Sequence, residues 1–162
     1  MPDLVVTLTE TLTLDTGTIS STRAETIGSI VDAYKRIVTC PANVDTTIAT
    51  FDAAISDATT CPFDIEAVKY IRITNLDGTN PVNIQLVIDA EDASPDGTAD
   101  STATIKIGAG QSWIHWDCDA SIVVDDDGTS IVTALGDLAS ITIDPSANKV
   151  KVEVFIASLT AA

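Results

Sequence analysis

Ala67–Thr74 (AVKYIRIT), Asn75–Pro81 (NLDGTNP) and Val82–Asp89 (VNIQLVID) carry the reading of the fold. The first stretch alternates Val68, Tyr70 and Arg72 against Lys69, Ile71 and Ile73. The third sends Val82, Ile84, Leu86 and Ile88 to one side. Period two belongs to strand, where successive side chains leave on opposite faces. Between the two, Asp77-Gly78 in a run of Asn and Pro carries the signature of a hairpin turn.

The same alternation extends in both directions. Leu4–Leu14 (LVVTLTETLTL) sets Leu4, Val6, Leu8, Leu12 and Leu14 against Thr7, Thr9, Thr11 and Thr13, with Glu10 interrupting the apolar side, and Asp15-Thr16-Gly17 turns it. This is a half-buried strand, and residues 1–16 are a candidate N-terminal arm or edge strand. Thr102–Ile107, Gln111–Trp116 (QSWIHW), Ser121–Val124, Leu138–Ile143 and Asn148–Ile156 (NKVKVEVFI) complete the secure strands. Gly108-Ala109-Gly110 and Asp125-Asp126-Asp127-Gly128 are turns between them.

Two segments are ambiguous. In Thr26–Thr39, Ile27, Ile30, Val31, Tyr34, Ile37 and Val38 fall at helical spacing, and Thr22-x-x-Glu25 has the form of a capping box. Five Ile/Val residues, Gly28 and an end at Cys40-Pro41 without a stop glycine tip the reading to strand, with helix as the alternative. Val44–Ile55 poses the same question more mildly. The sum is eight to ten closely spaced strands in one domain spanning residues 1–162. That predicts an all-β chain, an antiparallel β-sandwich of jelly-roll type with an N-terminal β arm.

Composition agrees. Thr (23), Ile (19) and Val (14) supply a third of the 162 residues, a β composition. The net charge of −16 disfavours phosphate backbones and anionic lipid, so neither a nucleic-acid nor a membrane partner is expected. Nineteen of the 24 acids are Asp, a turn former, so the charge fits solvated loops. No apolar run has the length of a membrane span, and Met1-Pro2-Asp3 lacks the basic start of a signal peptide.

Chemistry-bearing constellations are few. Asp125–Asp127 with Asp117 and Asp119 could gather carboxylates for Ca²⁺, but the EF-hand spacing is missing and turns explain the cluster better. His115-x-x-Cys118 with Cys40 and Cys61 counts four zinc ligands, yet Cys40 and Cys61 are lone residues where zinc takes close pairs. His115 reads as a strand residue with a satisfied ring. Cys40 and Cys61 share a Thr-Cys-Pro phrase. They are either bridged or, as an odd cysteine count favours, both reduced. Trp113 and Trp116 have opposite parity and so should fill core or interface on opposite faces. There is one histidine, no nucleophile elbow and no P-loop, and the two glycines of Gly108-Ala109-Gly110 do not make a dinucleotide loop. The expectation is a non-enzyme with no catalytic, cofactor or metal residues and no cofactor.

Val68–Asn75, Val82–Leu86, Ile107–Ser112 ahead of an aromatic strand, Tyr34–Thr39 and the opening Leu-Thr-Glu-Thr-Leu-Thr-Leu together resemble the small β-sandwich virion structural proteins of tailed bacteriophages, those of marine phages in particular. The resemblance spans most of the chain in strand-and-turn phrases and carries over no active-site residue. It implies a capsid decoration or cement protein, or else a neck or tail component. Such a protein is made in the host cytoplasm, resides in the virion, and partners itself as a homo-oligomer and other virion proteins such as the major capsid protein. The rival expectation from residues alone is a calcium- or carbohydrate-binding β-sandwich module.

Overall fold

A computed structural model of the chain describes residues 2–52, 63–65, 67–89, 101–116 and 137–159. Among these residues there are eleven strands and no helix: β1 (Leu4–Leu14), β2 (Gly17–Ile27), β3 (Asp32–Cys40), β4 (Thr46–Asp52), β5 (Phe63–Asp64), β6 (Val68–Asn75), β7 (Val82–Asp89), β8 (Ser101–Ile107), β9 (Ser112–Trp116), β10 (Asp137–Asp144) and β11 (Val150–Ser158). They form a four-stranded sheet β3-β11-β6-β9, a five-stranded sheet β5-β4-β10-β7-β8, and a separate hairpin β1-β2. Every pairing is antiparallel except the two-residue match of β5 with β4.

The pairs are nested: β3 with β11, β4 with β10, β6 with β9 and β7 with β8. Successive pairs fall in alternate sheets, closed by the contacts of β11 with β6 and β10 with β7. One long hairpin of eight strands, wound so that alternate rungs lie in opposite layers, is the jelly roll. The predicted all-β sandwich is therefore the observed fold.

The layers meet on the apolar parity of each strand. Val150, Val152, Val154 and Ile156 of β11 and Ile71 and Ile73 of β6 face Ile84 and Leu86 of β7 and Ile141 and Ile143 of β10, all essentially excluded from water. These β-branched side chains fit the pleat that they fill. Where Ile141 and Thr142 break register with β4, Ile48 and Ala49 are both buried, the mark of a bulge that turns two consecutive side chains inward.

The structure corrects several expectations. Asn75–Pro81 does not close a hairpin, because β6 and β7 lie in different sheets; it is an arch between layers. Gly108-Ala109-Gly110 likewise carries the chain from β8 to β9 across layers. Asn75 ties the two arches together. Its fully buried amide donates to the carbonyls of Asn80 (2.8 Å) and Gly108 (3.0 Å), and its Oδ1 accepts from the Asp77 amide (3.0 Å). Gly110, at φ 70°, takes the left-handed conformation this bend needs, and its amide reaches the Asp77 carbonyl.

In the ambiguous segment the strand reading holds for 32–40, while 28–31 is irregular and Thr22-x-x-Glu25 lies inside β2 rather than at a helix start. Val44–Ile55 contributes β4. Ser121–Val124, Cys61, Cys118 and the Asp117–Asp127 cluster lie outside the described residues. Cys40 is a free, fully buried thiol; burial raises its pKa, against a smaller lowering by a hydrogen bond with Thr46.

Candidate assembly interface

β1 and β2 pair over their whole length, from Leu4↔Ile27 to Leu14↔Gly17. The arm expected over residues 1–16 is thus the first half of a hairpin ending at Ile27. Gly17 takes φ 152°, a conformation that side-chain-bearing residues rarely adopt, beside the two-residue loop Asp15-Thr16. One face of the hairpin carries Leu4, Val6, Leu8, Glu10, Leu12, Leu14, Ile19, Arg23, Glu25 and Ile27 by register; the other is almost all Thr, Ser and Ala.

Among the described residues, only the root of that apolar face is seated. Leu4, Val6 and Ile27 pack on a second cluster of Ile30, Tyr70 and Ala157, joined by Trp116, Phe155 and Leu159. This cluster lies on the outer face of the four-stranded sheet, away from the main core. Backbone bonds hold the root: Ile30 donates to the Pro2 carbonyl (3.0 Å) and Val31 to the Ser158 carbonyl (2.9 Å). Past the root, Leu8, Leu12, Leu14 and Ile19 are 43–63% exposed. With Val5 they make five of the ten exposed large hydrophobic residues among the described residues.

The hairpin lifts away from the sheet and leaves a cleft of about 390 Å³. Leu4–Thr7 form one wall, and Lys35, Tyr70, Arg72, Ile114 and Phe155 the other. Two of the lining residues share a carboxylate: Glu153 accepts from Arg72 (2.5 Å) and pairs with Lys35 (3.2 Å), while the Arg72 guanidinium lies over the Phe155 ring at 5.7 Å. Tyr70 closes edge-on against Phe155 at 5.6 Å. Burial raises the Tyr70 pKa, against a smaller lowering by Arg72, so the phenol stays neutral. Beyond the cleft the same face continues through Ile37 (56% exposed), Thr74, Ser112 and Lys151.

The two sandwich exteriors differ. The outer face of the five-stranded sheet presents Thr47, Thr142, Gln85 and Thr104 in one register row and Asn83, Asp144 and Lys106 in the next. Polar side chains there satisfy one another, as in Asn83–Asp144 at 3.1 Å and Thr47–Thr142 at 3.3 Å. Among the described residues, aromatic and aliphatic side chains gather on the other exterior, beside the hairpin.

The aromatic residues sort as their parity predicts: Trp113 packs against the main core and Trp116 against the hairpin root. His115 is a strand residue of β9, as read, but its ring is not satisfied. Nε2 is buried without a hydrogen-bond partner among the described residues, and the ring stacks on Trp113 at 5.8 Å. Desolvation lowers its pKa, so the neutral imidazole serves as a flat packing piece. No group of three or more His, Cys, Asp or Glu side chains suited to a metal occurs among the described residues. Sequence reading missed the role of β2. Its signal was present in the alternation Ile19, Ser21, Arg23, Glu25, Ile27, at a length equal to β1.

These features define an all-β jelly-roll sandwich bearing a two-stranded arm. No protein-family model and no curated protein matches the sequence. A solved structure described as "Bacillus endospore appendages form a novel family of disulfide-linked pili" aligns over 82% of this chain and 90% of that one, at 18% identity and a TM-score of 0.38. That similarity is too low to carry an argument.

Proposed function

We infer that this chain is a non-enzymatic structural protein of a virus particle, a capsid decoration or cement protein of the tailed-bacteriophage kind, that joins its neighbours through the hairpin. The observation that carries the reading is the arm itself. Two eleven-residue strands leave the sandwich with an apolar stripe that the described residues cover only at the root. An isolated two-stranded hairpin is marginally stable in water, and exposed apolar faces of this kind mark interaction sites. The sequence resemblance supplies the particle, and the strongly acidic exterior suits a surface that must not aggregate.

Neck or tail placement uses the same contacts and differs in the lattice that receives the arm. The test is co-sedimentation of the full chain with empty shells assembled from a tailed-phage major capsid protein. Saturable binding with a raised shell melting temperature is expected. Binding to neither shells nor neck or tail particles would overturn the reading.

A further inference from the structure

We propose that the distal half of the hairpin of one copy lies across the uncovered part of the outer sheet face of a second copy, so that Leu8, Leu12, Leu14 and Ile19 meet Ile37 and Ile114 while Glu10 meets Lys35 and Lys151. The inference rests on the structural reading above and names the arm's partner as this same chain.

Three observations select that occupant. The apolar stripe of the hairpin already fits this kind of surface, because its root is seated on Tyr70, Phe155 and Trp116 of its own sheet. The stripe runs on for about 25 Å beyond the root, at 3.3 Å per strand residue, toward none of the described residues of its own chain. Every copy offers the matching face.

Charge gives the second reason. Copies carrying −16 each repel one another except where cations collect. The outer face of the four-stranded sheet holds Lys35, Arg72 and Lys151 against the single acid Glu153, a net of +2. The hairpin, residues 4–27, holds Glu10, Asp15 and Glu25 against Arg23, a net of −2. Arg23 is spent on Glu25 at 2.8 Å, which leaves Glu10 in the middle of the apolar stripe without a described partner.

The third reason is shape. The cleft under the root opens onto this face, whereas the described residues of the opposite exterior are mostly polar and form no apolar row. Each copy then gives one arm and receives one. That head-to-tail contact closes into a ring or propagates, rather than pairing two copies through one shared patch.

The test uses the full chain and two double variants, with mass read by light scattering over a wide concentration range. Leu12→Asp with Ile19→Asp spoils the arm; Ile37→Asp with Ile114→Asp spoils the face. The parent is expected to form oligomers and each variant alone to be a 16.9 kDa monomer. An equimolar mixture of the two should stop at one-to-one dimers, since one intact arm meets one intact face. A parent that is monomeric throughout, a variant that still oligomerises alone, or a mixture that stays monomeric would each overturn the proposal.

Glu10→Lys offers a check that leaves the apolar surface intact. It should weaken association about tenfold or more, and Lys35→Glu with Lys151→Glu should restore it. Thermal melts confirm that the exposed substitutions leave the sandwich folded; if an aspartate variant misfolds, the Glu10 charge exchange decides. Loss of self-association with shell binding retained would sink this inference alone. Self-association without particle binding would sink the virion reading alone.

Discussion

β11 and β1 are written in the same alphabet and end in opposite circumstances. Both alternate aliphatic and polar residues with period two, and both pair along their whole length. β11 sits between β3 and β6 with its aliphatic side under a second sheet, so Val150, Val152, Val154 and Ile156 are sealed. Among the described residues β1 has one neighbour and no layer over its distal half, so Leu8, Leu12 and Leu14 are exposed. Alternation therefore fixes strand and facing, while burial depends on whether something covers the face. In the sandwich the chain supplies its own cover; over the distal hairpin none of the described residues does.

Amide hydrogen exchange should show the widest contrast. Amides of β6 and β11 are expected to open only with global unfolding, and those of residues 8–22 to exchange orders of magnitude faster in the dilute chain. Equal protection would erase the distinction between the regions. Next in size is Ile73→Ala, which removes a sealed side chain between the layers and should cost about 2–5 kcal/mol in urea denaturation. Asn75→Ala leaves the carbonyls of Asn80 and Gly108 without their donor and should cost about 1–3 kcal/mol. A neutral result there would mean that the arches do not depend on their shared amide.

Acidity probes the sandwich further. Burial depresses the His115 pKa below the ordinary 6.5, so the unfolded chain takes up a proton before the folded one does. Stability should fall as pH drops through 6.5 toward the folded value, and His115→Gln should flatten that part of the curve. Amides of Asn80 and Thr79 lower the Asp77 pKa below 3.8, so its contribution is present above that pH and is lost as pH falls further. Asp77→Asn should flatten only the most acidic limb. Leu12→Ala should be smallest in stability, within about 0.5 kcal/mol, with its effect appearing in association.

The sequence-level reading was strongest where period and turn residues coincide. Leu4–Leu14 and Val82–Asp89 have the same bounds in the structure. β2 was obscured because only Ile19 and Ile27 mark its apolar side, with Ser21, Arg23 and Glu25 between them. Asp77 does shape a bend, its carboxylate accepting from the Thr79 and Asn80 amides, but such chemistry is local and does not say which layer the next strand joins; the Asn75 amide ties this arch to Gly108, 33 residues away. The candidate interface was half legible. Apolar Leu8, Leu12 and Leu14 could be read as a face, whereas the aromatic and cationic surface beside it is assembled from β3, β6, β9 and β11 and exists only in the fold.

The nesting of the strands also orders events during synthesis. The hairpin closes between neighbours in sequence and can form as soon as residue 27 is free. The sandwich must wait for β11, because that strand fills the centre of the four-stranded sheet and joins β3 across more than a hundred residues. Pairings so distant in sequence make for slow folding. A nascent chain therefore displays its arm well before it owns the sheet face that would receive another chain's arm. Under the arm exchange proposed above, assembly is reserved for copies translated through their last strand, and incomplete chains are left able to offer a contact but not to accept one.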